Sequence, residues 1–366
     1  GLSAKEEILF NCNEMAKGHA YFKLGGLSVS PDNKFVSFGV DIVGRRIYTI
    51  QIKNLETGEI LSDKIENATG GSVWANDNQT IFYTKQDEVT LRADKVFRHK
   101  LNTDSKNDVL VFNETDDTFN VSISKEKSRK YIVIGSGSTL TTEYRILNSD
   151  NPDGEFEVFQ HRVRGLEYSI SHYEDSFYIL TNKDKATNFK LMKTPENRTE
   201  KKFWKDLIPH REDVLLEDIE IFKNYLVVEE RSNGLNHIRI IPWNGEPDYY
   251  LPFGSETYNA YTTTNIDFDT DILRYSYQSL GTPSSVIDFN MKTKTKEILK
   301  EQQVLGGKFD KENYVEERIW ATARDGVKVP ISMIYRKGLH KNGKNPLLLY
   351  AYGSYGITMD AYFSST

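Results

Sequence analysis

The sequence holds one cysteine, Cys12, in 366 residues. No disulfide can close within the chain, and no cysteine-built zinc site is possible. The lone thiol suits a reducing cytoplasm, with the periplasm as the alternative, and reads as a buried or bystander side chain. No apolar run approaches the ~20 residues that a membrane helix needs, so no membrane partner is expected. The 7 histidines show neither His-Glu-x-x-His nor paired-ligand spacing, and the glycines form no nucleotide-binding loop. No metal and no cofactor are therefore expected. Positive charge is not in excess: 47 Lys+Arg stand against 53 Asp+Glu, a net charge of −6, which argues against nucleic acid held through its phosphates.

What is present is a large, aromatic-rich folded chain. Hydrophobic residues make up 38% and aromatic residues 12%, with 21 Tyr and 19 Phe, a composition that leans towards strand. Short alternating runs open at Phe35, Ile81, Tyr131, Phe177, Tyr225 and Ile272, at intervals of 46, 50, 46, 48 and 47 residues. Each follows a polar turn, such as Ser30-Pro31-Asp32-Asn33 or Ala75-Asn76-Asp77-Asn78, whose Asn and Asp residues tolerate left-handed backbone and favour hairpins. Three or four strands per ~47 residues is the arithmetic of a β-propeller blade. Six such units are expected, with one more supplied upstream. Trp74, Trp204, Trp243 and Trp320 are not followed by Asp, so the repeat is not of the WD type. The basic stretch from Lys183 to Lys205 reads as a solvated blade face.

Near residue 312 the pattern changes, giving expected domains of 1–312 and 313–366. Glu317–Ala323 and Val327–Tyr335 read as a hairpin turned by Arg324-Asp325-Gly326. After a basic loop, Leu347-Leu348-Leu349-Tyr350-Ala351-Tyr352 reads as a strand buried on both faces, closed by Gly353-Ser354-Tyr355-Gly356.

The segment Tyr335 to Ser364, with its PLLLYAYGSYG core, resembles the oxyanion-hole strand of the prolyl oligopeptidase family, and within it the oligopeptidase B branch. The resemblance extends upstream in order through Gly18-His19-Ala20-Tyr21-Phe22, Lys95-Val96-Phe97-Arg98-His99, Asp116-Asp117-Thr118-Phe119 and Trp320-Ala321-Thr322-Ala323-Arg324-Asp325-Gly326. It implies an all-β, seven-bladed-type propeller, about six blades of it present, followed by the first strands of an α/β-hydrolase domain. It also implies short peptides as substrates, a gating propeller, and a partner in the remainder of the peptidase domain. By match to the family motif, Tyr352 is the oxyanion donor, a neutral phenol suited to stabilising developing charge. Tyr355 and Asp360 are implied as substrate-binding residues. The second acid of the branch's Asp-x-Asp is Tyr362 here, which weakens the case for strict preference for basic residues.

Acyl transfer in this family also needs a serine in a Gly-x-Ser-x-Gly elbow. None occurs: Gly70-Gly71-Ser72-Val73-Trp74 lacks the closing glycine, and Gly353-Ser354-Tyr355-Gly356 has the wrong spacing. The chain alone is therefore expected to be inactive, with its triad beyond Thr366. Two other classes compete: a non-catalytic propeller that binds peptides or proteins, which would have no reason to carry Tyr350 to Gly356, and a propeller glycosidase, which lacks a convincing acid pair.

Overall fold

The structure, a computed structural model, describes residues 5–365, almost entirely strand and turn. Strands opening at Phe35, Thr80, Tyr131, Ser176, Tyr225 and Ile272 lie within one residue of the positions read from alternation. Each is the second strand of an antiparallel meander. The first two meanders share one seven-stranded sheet, and four further meanders each form a four-stranded sheet in sequence order. Six are thus present among the described residues, as the spacing predicts.

The shared sheet owes its continuity to strand Ile60–Trp74, whose first half pairs with Tyr48–Asn54 and whose second half pairs with Thr80–Gln86. The register shifts between Ala68 and Ser72, where Gly70 has φ +98 and lies against the Tyr48 ring. A Cβ on Gly26 would fall 1.9 Å from the Gly70 carbonyl oxygen, so two backbones meet there at a distance only glycine permits. The Gly70-Gly71-Ser72 sequence is thus a bend inside a strand.

The repeat is visible in bonds as well as spacing. The Asp32 amide donates to Asn78 Oδ1 (2.9 Å), the Trp74 indole to the Ser28 carbonyl (2.9 Å), the His172 amide to Glu126 (2.9 Å) and Lys223 Nζ to Asp269 (2.9 Å), each across 46 residues. Each bond ties one turn or strand end to its equivalent in the next meander.

The chain divides into two compact units, Gly1–Thr181 with Met192–Asp206, and Asn182–Leu191 with Leu207–Thr366. In the first, Phe159, Phe177, Ile179, Trp204 and their neighbours form one apolar cluster, and Ile50, Ile52, Trp74, Ile81 and Tyr83 another. In the second, Phe222, Val227, Ile238, Ile240, Leu273 and Phe289 do the same work. Burying such side chains is worth roughly 1.5–3 kcal/mol each, the main force holding the meanders.

Three expectations are corrected. Of the two readings of Cys12, buried or bystander, the buried one falls: the thiol is exposed in the short helix Cys12–Met15. The stretch from Lys183 to Lys205 is not a solvated face, because it contains the strand Lys190–Pro195, in which Lys190, Leu191, Met192 and Thr194 are buried and the Lys190 ammonium meets Asp184 at 3.0 Å. The run 347–352 is neither strand nor buried: Leu347, Leu348, Leu349 and Tyr350 are 70–89% exposed. A buried strand needs neighbours on both edges and layers on both faces, and no described strand pairs with this one. The hairpin before it forms as expected, from Tyr314–Thr322 and Lys328–Arg336, with Gly326 at φ 88 in its turn.

Candidate functional site

The residues singled out from sequence lie in the second unit, where the hairpin and the segment after it meet the loops of the fifth and sixth meanders. Three contacts hold the hairpin. The Glu316 carboxylate accepts from the Gly281 amide (2.7 Å) and the Ser279 hydroxyl (3.0 Å). The Arg318 guanidinium donates to the Asn233 carbonyl (2.5 Å) and stacks 5.6 Å from the Trp320 ring. Gly234, at φ 71 in the fifth meander's turn between Tyr225–Ser232 and Leu235–Pro242, lies where a side chain would meet Pro330 of the hairpin.

Asp360 is the best-anchored of the predicted residues. Its Oδ1 accepts from Arg231 Nη1 at 2.7 Å, and its Oδ2 accepts from Arg231 Nη2 at 3.1 Å and from Asn259 Nδ2 at 3.0 Å. Arg231 also donates through Nε to Glu217 at 2.6 Å. Burial alone would push the guanidinium pKa down; the bonds to Asp360 and Glu217 outweigh it, and the pKa is raised. Beside them Ala361 is buried and the Phe363 amide donates to Gln278 Oε1 (3.1 Å), while its ring meets Phe309 at 5.1 Å. Burial, and then the Asp360 charge, raise the Tyr362 pKa. Both Asp360 oxygens thus have donors, and any further cation would have to compete with Arg231.

Tyr352 and Tyr355 stand apart from this anchor. Tyr352 is about half exposed at 48%, and Tyr355 is almost fully exposed, in a turn at φ 54. Neither hydroxyl has a hydrogen-bond partner among the described residues. The structure therefore joins Asp360 to the fifth and sixth meanders and leaves the two tyrosines facing outward. Arg231, Asn259 and Glu217 were not read from sequence; they lie 101 to 143 positions from Asp360 in the chain, and only the folded register brings them together.

A second buried ionic group lies in the first unit. His99, fully buried, bonds through Nδ1 to Asp108 (2.7 Å) and through Nε2 to Asp63 (3.0 Å), and the Tyr83 hydroxyl donates to Asp108 (2.8 Å). Burial opposes charge on the ring, but the two carboxylates prevail and raise its pKa. Burial, then Asp108, raise that of Tyr83. Two acids around one imidazole, sealed from solvent, make a structural ion network rather than an accessible acid–base site. Among the described residues no group of three or more His, Cys, Asp or Glu is gathered to hold a metal ion, and no helix is long and apolar enough to cross a membrane.

Six antiparallel meanders in series, with second strands opening at Phe35, Thr80, Tyr131, Ser176, Tyr225 and Ile272, define a repeat protein of the β-propeller class. The chain belongs to the prolyl oligopeptidase family: the family model for the N-terminal beta-propeller domain of prolyl oligopeptidase matches residues 1–302. It is 42% identical to dipeptidyl aminopeptidase BI of Pseudoxanthomonas mexicana, over 99% of this chain and 50% of that protein. It is 34% identical to protease 2 of Moraxella lacunata, over 98% of this chain and 51% of that one. The structure of oligopeptidase B from Leishmania major superposes with a TM-score of 0.90 at 30% identity, over 98% of this chain and 51% of that chain. The chain thus spans about half the length of the curated relatives it matches.

Proposed function

We propose that the chain is the gating propeller of a serine oligopeptidase that hydrolyses short peptides, and that by itself it has no peptidase activity. The family match over residues 1–302 carries this reading, together with the absence of any Gly-x-Ser-x-Gly elbow in the 366 residues. Nucleophile, base and orienting acid are then supplied by a partner portion, the remainder of the peptidase domain. Within that assembly Tyr352 supplies a phenolic hydrogen bond to the oxyanion, a role its unpaired, half-exposed hydroxyl leaves open to it. Tyr355 lines the pocket for the residue before the scissile bond. Asp360 attracts cationic side chains, in competition with its own Arg231.

A second reading is favoured by the 42% identity to a dipeptidyl aminopeptidase: removal of dipeptides from free N-termini in place of internal cleavage. One experiment tests the first reading and separates the two. The 366-residue chain and the native source protein are treated with a fluorophosphonate probe, and then assayed on an N-blocked Arg-amide and on an unblocked dipeptidyl-amide. The expected result is no labelling or turnover by the chain, one labelled serine in the native protein, and hydrolysis of the blocked substrate. Turnover by the chain would overturn the proposal; turnover of only the unblocked substrate by the native protein would replace the first reading with the second.

A further inference from the structure

In the first unit, the ends of the first strands of the first three meanders and the turns after the first and third border an open pocket of about 360 Å³. Its lining combines apolar side chains, Val29, Pro31, Val73 and Trp74, with the polar Ser28, Ser30 and Asn33 and two cations, Lys125 and Arg129.

Neither cation forms an ion pair among the described residues. Lys125 Nζ donates to the Trp74 carbonyl (2.9 Å) and to Asn76 Oδ1 (2.6 Å), both uncharged acceptors. The Arg129 guanidinium has no hydrogen bond and no ion pair among the described residues. The acids nearby are already engaged in their own turns. Asp32 accepts from the Ser30 hydroxyl (2.6 Å) and the Lys34 amide (3.1 Å), Asp77 from the Thr80 amide (2.9 Å) and hydroxyl (2.7 Å), and Asp150 from Asn76 Nδ2 (2.7 Å). Burial, and next the neighbouring Arg129 charge, pull the Lys125 pKa down to about 8, against the opposing pull of Asp150 and Asp77. An anion entering the cavity would relieve that repulsion.

The residue type at 129 adds a second argument. The equivalent turns place Asn33 and Asn78 in the left-handed region, at φ 61 and 59, where asparagine is favoured. Arg129 occupies the same conformation at φ 60, where a long side chain carries a backbone cost. Glu174 takes the same place in the fourth meander's turn at φ 55, so the conformation itself selects no residue type, and it is the cavity beside Arg129 that gives its charge a use.

We propose that this cavity binds a carboxylate attached to an apolar body, specifically the C-terminal end of a short peptide with an apolar last residue. The carboxylate lies between Lys125 and Arg129, and the side chain lies against Val29, Pro31 and Val73. The site uses different residues from those assigned to hydrolysis and goes beyond that reading, because it needs neither Tyr352 nor a triad.

Calorimetric titration of the 366-residue chain with N-acetyl-Leu-Leu tests the proposal, with the same dipeptide as its C-terminal amide and inorganic phosphate as the other arms. The free acid should bind, the amide should bind about tenfold more weakly or not at all, and Arg129→Gln should weaken the acid by about tenfold, as loss of a charge-assisted hydrogen bond does. Lys125→Met should abolish binding; should that variant fail to fold, Arg129→Gln decides alone, since that exposed guanidinium supports no contact in the fold. Equal binding of acid and amide, or an unchanged affinity in Arg129→Gln, would overturn the proposal. Phosphate binding as tightly as the peptide would also overturn it, because the apolar side chains would then contribute nothing.

Discussion

Two apolar runs of six residues have opposite fates in this molecule. Ser176–Thr181, reading SFYILT, is buried at every position. Leu347–Tyr352, reading LLLYAY, is exposed at every position and forms no strand. By composition alone the second is the better candidate for a core strand. The difference lies in the neighbours: Ser176–Thr181 follows a hairpin partner, Tyr168–Tyr173, in full register, and the Phe177 ring meets Tyr131, Phe159 and His172. The later run has the hydrophobicity without the ladder. A strand is thus a property of the surface it completes, and hydrophobicity shows only that a surface is wanted.

The largest effect should come from emptying the buried run. Phe177→Ala should cost about 3–5 kcal/mol of unfolding free energy in urea titration. A loss under 1 kcal/mol would show that the two runs differ less than their burial indicates.

Next is the ion network that also lies wholly inside. His99→Ala leaves Asp63 and Asp108 without their shared partner and should cost about 3 kcal/mol. The parent chain should show a matching pH dependence. The folded pKa of His99 is raised, so its stabilisation is fully present below the unfolded value of about 6.5 and fades as pH rises through the folded value. Urea midpoints measured across that range should fall with rising pH in the parent, and the fall should be smaller in His99→Ala.

A smaller and more local effect should follow from Asp360→Asn. Removing the charge from the pair with Arg231 should release the docked tail at a cost of about 1–3 kcal/mol. Limited proteolysis should then cut after residue 337 faster than in the parent, with the meanders intact. The smallest effect should be at the exposed run: Leu348→Lys should change stability by no more than about 0.5 kcal/mol.

The sequence-based reading succeeded where structure is local. Each meander brings its own partners within a few turns, so alternation and Asn/Asp turns located the strands opening at Phe35, Tyr131, Tyr225 and Ile272 to the residue. The hairpin about Gly326 was legible for the same reason. The pairing of Asp360 with Arg231 was not, because it joins positions 129 residues apart and nothing in the spacing of either marks the other. Nor was the His99 network: paired-ligand spacing of histidines does not mark one whose partners are Asp63, 36 positions away on the strand Ile60–Trp74, and Asp108, 9 positions away in the turn before Val109–Asn113. Gly70-Gly71-Ser72 reads in sequence as an elbow without its closing glycine, and the reason for its glycines lies in a close backbone approach that only the folded sheet creates.

Amide hydrogen exchange, resolved by peptide mass spectrometry, compares the two runs directly in one sample. Ser176–Thr181 should exchange only on global unfolding, and Leu347–Tyr352 should exchange within the shortest labelling time. Slow exchange across Leu347–Tyr352 would contradict the account, because it would mean that the run has found its strand partners within this chain.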